Sequence, residues 1–221
     1  MSVAPWPVGF LFGIGLAVVI MLAGPLLLFN PPFTSVLQAR HGVPAAFDAS
    51  QAEVDRVTSE ILGDLFVGGS FDAAFEGDAP LLNDRERSHM GDVSRLVQLL
   101  VGITLAALLV AVVTALLLRR EPGRQGRIML ITAGAIGAVA LVLALVFAVA
   151  FDAAFLAFHQ VFFPPGTYLF EPGSKLITLF PGGFWFDASL AAGGAIILTA
   201  LAVAVFGLRR LRGASQTPVR P

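Results

Sequence analysis

Four long uncharged runs dominate the pattern of hydrophobic and polar positions along the chain. They are Val8–Phe29, Leu96–Leu118, Ile128–Phe151 and Ala188–Leu208. About 20 consecutive apolar residues in a helix cross the roughly 30 Å hydrocarbon core of a bilayer. The pattern therefore predicts an all-α, multi-pass membrane protein with four transmembrane helices, in which residues 1–221 form one membrane domain.

The distribution of arginines predicts the orientation of these helices. The connection 119–127 holds four arginines and one acid, and the tail 209–221 holds four arginines and no acid. Residues 30–95 carry eleven acids against five arginines, and residues 152–187 carry three acids against one lysine. Short loops rich in Lys and Arg stay in the cytoplasm. We therefore expect both termini and the loop 119–127 on the cytoplasmic side, and an extracytoplasmic cap built from residues 30–95 and 152–187.

Composition agrees with a membrane protein and excludes several functions. Hydrophobic residues make up 57% of the chain and charged residues 13%, whereas soluble domains carry about 25% charged residues. A net charge of −1 lacks the basic excess of a nucleic-acid-binding protein. The chain has no cysteine, which excludes disulfides, thiolate nucleophiles and cysteine-bound metals. We expect no metal and no cofactor.

Local patterns predict helices in the outer segments. Apolar residues recur at helical spacing between Ala45 and Gly63, and Asp48 or Ser50 is a candidate cap for a helix lying on the membrane surface. Asn83 followed by Glu86 has the spacing of a capping box, so the second long helix is expected to start near residue 84. Phenylalanines at helical spacing predict that the third long helix continues past residue 151 and through His159.

Two of the three histidines are candidate functional residues because of where they lie. Counted at 1.5 Å per residue from the connection 119–127, His89 and His159 lie about 43 and 46 Å along their helices, near the outer headgroup layer. Asp92 and Asp152 fall one or two turns deeper, where an ionisable group indicates a functional site. The competing interpretation is two interfacial histidines that happen to lie at one height. His41 is expected to be an exposed, inert loop residue.

Residues 162–187 are rich in Phe, Pro and Gly and carry little charge. Two interpretations are open: an aromatic belt at the membrane interface, or a cover that folds over the histidines and lines a groove for a lipid tail. The candidate substrate-binding residues are Phe155, Phe162, Tyr168 and Trp185.

Three elements in order resemble a known family. They are the His-Met-Gly-Asp-Val element at 89–93, the Phe-His element at 158–159, and the Phe-Pro-containing segment 179–187 before the last span. Together with four transmembrane helices, they resemble the bacterial lipoprotein intramolecular transacylases. Tyr168 stands where the family pattern has tryptophan, and Gly182 where an acid is common.

The resemblance implies a reaction and a place for it. An acyl chain would move from the glyceryl ester of a diacylglyceryl-modified lipoprotein to the amine of its own N-terminal cysteine, on the extracytoplasmic side of the bacterial cytoplasmic membrane. Its partners would be such lipoproteins and membrane lipid. The reaction needs a base and stabilisation of an oxyanion, and histidine fits the first role. His89 and His159 would form the catalytic pair, with Glu86 or Asp92 orienting His89 and Asp152 supporting the site from below.

Two alternatives from other classes are non-enzymatic. Two histidines on different helices could be the axial ligands of haem in an electron carrier, and a proton-coupled transporter also uses ionisable groups in the membrane. Neither fits well, because the histidines lie at the outer boundary and the centres of the four spans carry no charge.

Overall fold

The computed structural model describes residues 5–76 and 79–215, and the regular secondary structure of this part of the chain is entirely helical. The helices are α1 (Trp6–Leu27), α2 (Pro31–Arg40), α3 (Val43–Ala46), α4 (Gln51–Val67), α5 (Asp84–Leu117), α6 (Pro122–Val149), α7 (Phe151–Phe162), α8 (Lys175–Leu179) and α9 (Gly182–Ser215). A turn of 3₁₀-helix, Leu118–Arg120, follows α5.

Four of these helices are long and apolar enough to cross a membrane: α1, α5 with its 3₁₀ turn, α6 and α9. Each coincides with one of the four predicted spans, so the prediction of four transmembrane helices is confirmed. Their orientation stays a prediction. It also involves residues 1–4 and the tail arginine Arg220, which lie outside the described residues.

The described residues cluster into two compact units. Residues 5–26, 101–144 and 192–215 form the first unit, and residues 27–76, 79–100 and 145–191 form the second. Each unit has its own hydrophobic cluster, centred on Phe12, Leu16 and Ile20 in the first and on α4 and α8 in the second. The candidate catalytic histidines both belong to the second unit.

Close helix packing in the first unit depends on glycine. A Cβ atom on Gly137 would lie 3.5 Å from the side chain of Ala200, whereas one on Gly134 would meet nothing within 4 Å. The tightest approach is at Gly126, where a Cβ atom would lie 2.6 Å from the carbonyl oxygen of Gly207. Small residues let membrane helices approach closely, and here they bring backbone against backbone.

Replacing Gly126 with alanine is expected to lower the free energy of unfolding by about 1–3 kcal/mol, because the new methyl group forces α6 and α9 apart. Gly134→Ala is the matched control on the same helix, and it should be neutral or stabilise by up to about 1 kcal/mol through helix propensity. Thermal unfolding in detergent micelles measures both. Equal stability of the two variants would contradict this account of the packing.

In the second unit, α4 starts later than predicted. Asp48 has a positive φ of 51°, which separates the short α3 from α4, so the expected helix Ala45–Gly63 is wrong in its first turn. Ser50 caps α4: its hydroxyl accepts from the Glu53 backbone N–H at 3.3 Å, and the Glu53 carboxylate accepts from the Ser50 N–H at 2.9 Å. Hydrogen bonds from the backbone and hydroxyl of Ser50 hold the pKa of Glu53 below its ordinary value.

The apolar face of α4 forms the core of the second unit. Its buried apolar residues are Val54, Val57, Ile61, Leu62 and Leu65, and Thr58 is buried beside them. Gln38 of α2 joins this core to α8, since its side-chain amide donates to the Thr58 hydroxyl at 3.0 Å and to the Leu179 carbonyl at 3.1 Å. A buried polar group needs such partners, and here they hold three helices together.

The third long helix does not run straight through His159 as predicted. Ala150 (φ −133°, ψ 47°) leaves the helical conformation, so α6 ends at Val149 and α7 begins at Phe151. No proline or glycine marks this break. Aromatic packing accompanies it, since the Phe151 ring lies 5.3 Å from Phe155 and 5.6 Å from Phe186 of α9, measured between ring centroids.

Candidate active site

Helices α5 and α7 bring His89 and His159 together. Their ring centroids lie 6.1 Å apart, with the ring planes inclined by 25°. His89 is buried, with 6% of its surface exposed, and His159 is half-buried. The two histidines singled out by sequence position are therefore neighbours in space, despite the break at Ala150.

Two aromatic rings enclose His89, and the sequence reasoning named neither. Phe163 lies 5.0 Å and Phe170 5.5 Å from the His89 ring, both edge-on. Phe163 is itself buried, with 6% of its surface exposed. Both belong to the Phe- and Pro-rich segment that follows α7, so this segment packs onto the histidine pair as the second of its two interpretations requires.

His159 has its own ring of aromatic neighbours. Phe155 lies 4.3 Å away, Tyr168 5.3 Å and Phe163 5.4 Å, measured between ring centroids. Phe163 thus contacts both histidines. These rings surround part of the imidazole with apolar, polarisable surface.

The hydrogen bonds of the two imidazoles differ. The His159 Nδ1 lies 2.8 Å from the carbonyl oxygen of Phe155. A carbonyl only accepts, so Nδ1 donates, and a neutral His159 keeps the lone pair of Nε2 available. The His89 Nδ1 is buried without a hydrogen-bond partner among the described residues. A buried N–H without an acceptor is costly, so a neutral His89 is expected to carry its proton on Nε2.

Glu86 is completely buried, and its hydrogen bonds run to groups other than His89, so its predicted role in orienting His89 stays a prediction. Its Oε2 accepts from the Asn83 backbone N–H at 2.8 Å, which completes the predicted capping box. Its Oε1 accepts from the Ser174 hydroxyl and from the Leu176 backbone N–H, the latter at 3.0 Å. The carboxylate therefore ties the start of α5 to the start of α8.

The two other predicted supporting acids have different surroundings. Asp92 is largely buried and forms an ion pair with Arg95 one turn further along α5. Asp152 lies exposed in the first turn of α7 and has neither a hydrogen bond nor an ion pair within residues 5–76 and 79–215. Within the described residues neither acid forms a hydrogen bond to a histidine ring, and their supporting roles stay predictions.

The four predicted substrate-binding residues fall into two groups. Phe155 and Tyr168 contact His159 directly, as described above. Trp185 packs against Phe155 at 6.0 Å between ring centroids, and so extends the aromatic surface beside the pair. Phe162 is 48% exposed, and its ring lies 4.8 Å from Phe158. Phe162 thus stands apart from the enclosure of the histidines.

Arg85 is a residue that sequence reasoning missed. Its Nη2 donates to the carbonyl oxygens of Gly166 and Leu169 at 2.9 and 2.8 Å, and its guanidinium lies 5.7 Å from the Phe170 ring centre. No pattern in the sequence marks these contacts, because they join residues more than 80 positions apart through main-chain acceptors.

His41 was expected to be exposed, and the structure corrects this. Its Nε2 lies 2.9 Å from the Asp187 carboxylate. The same carboxylate forms an ion pair with Arg40, whose Nη1 lies 3.2 Å from it. The His41 ring packs so closely on α9 that a Cβ atom on Gly183 would lie 2.6 Å from it. His41 thus joins the end of α2 to the start of α9.

Comparisons with known proteins agree with the family resemblance of the sequence. A family model described as "Lipoprotein intramolecular transacylase Lit" matches residues 10–185. The fold is similar to that of the membrane-integral Lit from Bacillus cereus, with a TM-score of 0.85 and 15% identity over 96% of this chain and 97% of that chain. Structures of that protein with a histidine mutated to arginine or alanine match with a TM-score of 0.78 at 15% identity, over 96% of this chain and 94% and 95% of theirs. No curated protein sequence matches the chain.

Proposed function

The chain belongs to the lipoprotein intramolecular transacylase family, and from this premise we propose that it moves an acyl chain from oxygen to nitrogen within one lipoprotein. The donor is the glyceryl ester of a diacylglyceryl-modified cysteine, and the acceptor is the amine of the same N-terminal cysteine. The product is a lyso-form lipoprotein of unchanged mass. The family match favours this function over the electron carrier and the transporter.

The observation that carries the proposal is the enclosed pair His89 and His159. Acyl transfer to an amine needs a group that removes a proton from the nitrogen and a donor for the oxygen. The pair offers one of each, because a neutral His159 has its lone pair on Nε2 and a neutral His89 has its proton there. The two rings lie 6.1 Å apart, close enough to act on one ester group.

In the proposed mechanism, the lone pair of the neutral amine attacks the ester carbonyl carbon. A carbon–nitrogen bond forms, and the carbonyl oxygen takes the negative charge. His159 accepts the proton that the nitrogen loses, while His89 donates a hydrogen bond to the developing oxyanion. The carbon–oxygen bond to glycerol then breaks, and the glyceryl oxygen leaves with a proton supplied by the imidazolium of His159. Proton and charge thus balance without water.

We place this chemistry on the extracytoplasmic side of the bacterial cytoplasmic membrane. The arginines at 119–127 and in the tail support this orientation, since basic short loops stay in the cytoplasm. Phe155, Tyr168 and Trp185 form the aromatic surface that we assign to the acyl chain. We assign the exposed Phe162, which packs on Phe158, to a separate contact with the same chain. We assign supporting roles to the carboxylates of Asp92 and Asp152.

Mass spectrometry of a reporter lipoprotein tests the function. The N-terminal lipopeptide is isolated from bacteria that lack other N-acylating enzymes, with and without this protein. We expect an N-acylated, S-monoacylglyceryl cysteine of the same mass as the substrate, identified by its fragment ions. A diacylglyceryl cysteine that keeps its free amine when the protein is present would contradict the proposal.

A further inference from the structure

Residues 163–176, which we call the cover segment, supply three of the rings that enclose the histidines: Phe163, Tyr168 and Phe170. Between α7 and α8 this segment has no regular secondary structure. Within the segment, two turn hydrogen bonds, Thr167 N–H to Pro164 and Ser174 N–H to Glu171, are all that the backbone supplies before α8. Its position must therefore depend on contacts with other elements.

Two consecutive residues at the start of α5 hold the cover segment at two points. Arg85 binds the carbonyl oxygens of Gly166 and Leu169, and Glu86 binds the hydroxyl of Ser174 and the N–H of Leu176. Arg85 thus donates hydrogen bonds to acceptors of the segment, and Glu86 accepts hydrogen bonds from its donors. Because both belong to the helix that carries His89, they set the position of the segment relative to that histidine.

The enclosing rings lie between or beside these two anchor points. Phe170 is four residues from Ser174 and one from Leu169, and it is held between the His89 ring at 5.5 Å and the Arg85 guanidinium at 5.7 Å. His89 keeps only 6% of its surface exposed in this arrangement. Loosening either anchor would let Phe170 move away and admit water to the imidazole.

We propose that Arg85 and Glu86 are positioning residues that decide which nucleophile receives the acyl chain, by holding the cover segment closed against water. The inference rests on the proposed acyl transfer. With the segment released, water attacks the same ester carbonyl: its oxygen bonds to the acyl carbon, the bond to the glyceryl oxygen breaks, and one water proton reaches that oxygen through the histidine. The products are a free fatty acid and a lyso-lipoprotein with an unmodified amine.

The test measures the ratio of hydrolysis to transfer. The full-length protein in liposomes is given a diacylglyceryl-modified lipopeptide in water enriched in ¹⁸O. Fatty acid carrying ¹⁸O reports hydrolysis, and N-acylated lipopeptide reports transfer. We expect almost no labelled fatty acid from the wild type and a ratio about tenfold higher for Arg85→Ala, which corresponds to roughly 1.4 kcal/mol.

Three further variants separate positioning from general damage. Arg87→Ala removes a neighbouring arginine of the same helix, which pairs with Asp84, and its ratio should equal that of the wild type. Arg85→Lys can still donate to carbonyl oxygens and should give an intermediate ratio. Ser174→Ala breaks only one contact of Glu86 and should also raise the ratio. A purely structural role would lower both products together and leave the ratio unchanged.

The outcomes distinguish this inference from the proposed function. If the wild type transfers and both Arg85→Ala and Ser174→Ala keep its ratio, the positioning role is overturned. If the wild type yields neither product, the proposed function itself fails. If Arg85→Ala does not accumulate in the membrane, Ser174→Ala and Phe170→Leu test the inference in its place. A wild-type ratio of hydrolysis to transfer in both variants overturns it.

Discussion

Replacing His159 with alanine is expected to slow acyl transfer by about 10²–10⁴-fold, the usual contribution of a positioned general base. The bond from Nδ1 to the Phe155 carbonyl leaves Nε2 of the neutral ring as the proton acceptor, and alanine supplies no substitute. The rate of N-acyl lipopeptide formation in liposomes, at matched protein amounts, measures the loss.

Gln160→Ala is the control for this variant, because Gln160 is the exposed neighbour of His159 on α7. It should keep the wild-type rate. His89→Ala is expected to be slow as well, since it removes the donor for the oxyanion. A His159→Ala protein that retains more than about a tenth of the wild-type rate would fall outside the range expected of a general base and would rule out this assignment.

Replacing Glu86 with glutamine is expected to lower the free energy of unfolding by about 1–3 kcal/mol, although the two side chains have nearly the same shape. Both carboxylate oxygens accept hydrogen bonds, one from Asn83 and the other from Ser174 and Leu176. An amide turns one acceptor into a donor, so at least one buried donor is left without a partner, which costs about 1–3 kcal/mol.

Thermal unfolding in detergent micelles measures this effect. Glu60→Gln is the control, because Glu60 is half-exposed and pairs with Arg56 at the surface, where an ion pair contributes about 0–1 kcal/mol. If Glu86→Gln unfolds at the wild-type temperature, the carboxylate does not need both of its oxygens as acceptors. The account of the link between α5 and α8 would then be wrong.

The sequence was sufficient for features set by local periodicity. Four apolar runs define the four long helices, and Asn83 with Glu86 marks the start of α5. Counting residues along two helices also predicted one height for His89 and His159; their rings are neighbours at 6.1 Å, although α6 and α7 are not the continuous helix that the count assumed. Such inferences succeed because hydrophobic length and capping depend on neighbours in the sequence.

Features that depend on distant contacts were beyond these patterns. Nothing near Ala150 breaks a helix by propensity, and the aromatic packing that accompanies the break involves Phe186, 36 positions away. The capping box predicted the hydrogen-bond partner of one carboxylate oxygen of Glu86. The partners of the other oxygen, Ser174 and Leu176, lie about 90 positions further along the chain. Phe163 and Phe170 are two of nineteen phenylalanines, and their pattern alone does not select them.

The close contact between His41 and Gly183 couples two positions that lie far apart in the chain. A side chain at 183 would overlap the imidazole, since even a Cβ atom would lie 2.6 Å from it. Any residue larger than glycine at 183 therefore requires a smaller or shifted residue at 41, and the carboxylate of Asp187 then loses one of its two side-chain partners, Arg40 and His41. Within the family, these positions should vary together rather than independently, and this covariation would be visible in an alignment without reference to the histidine pair.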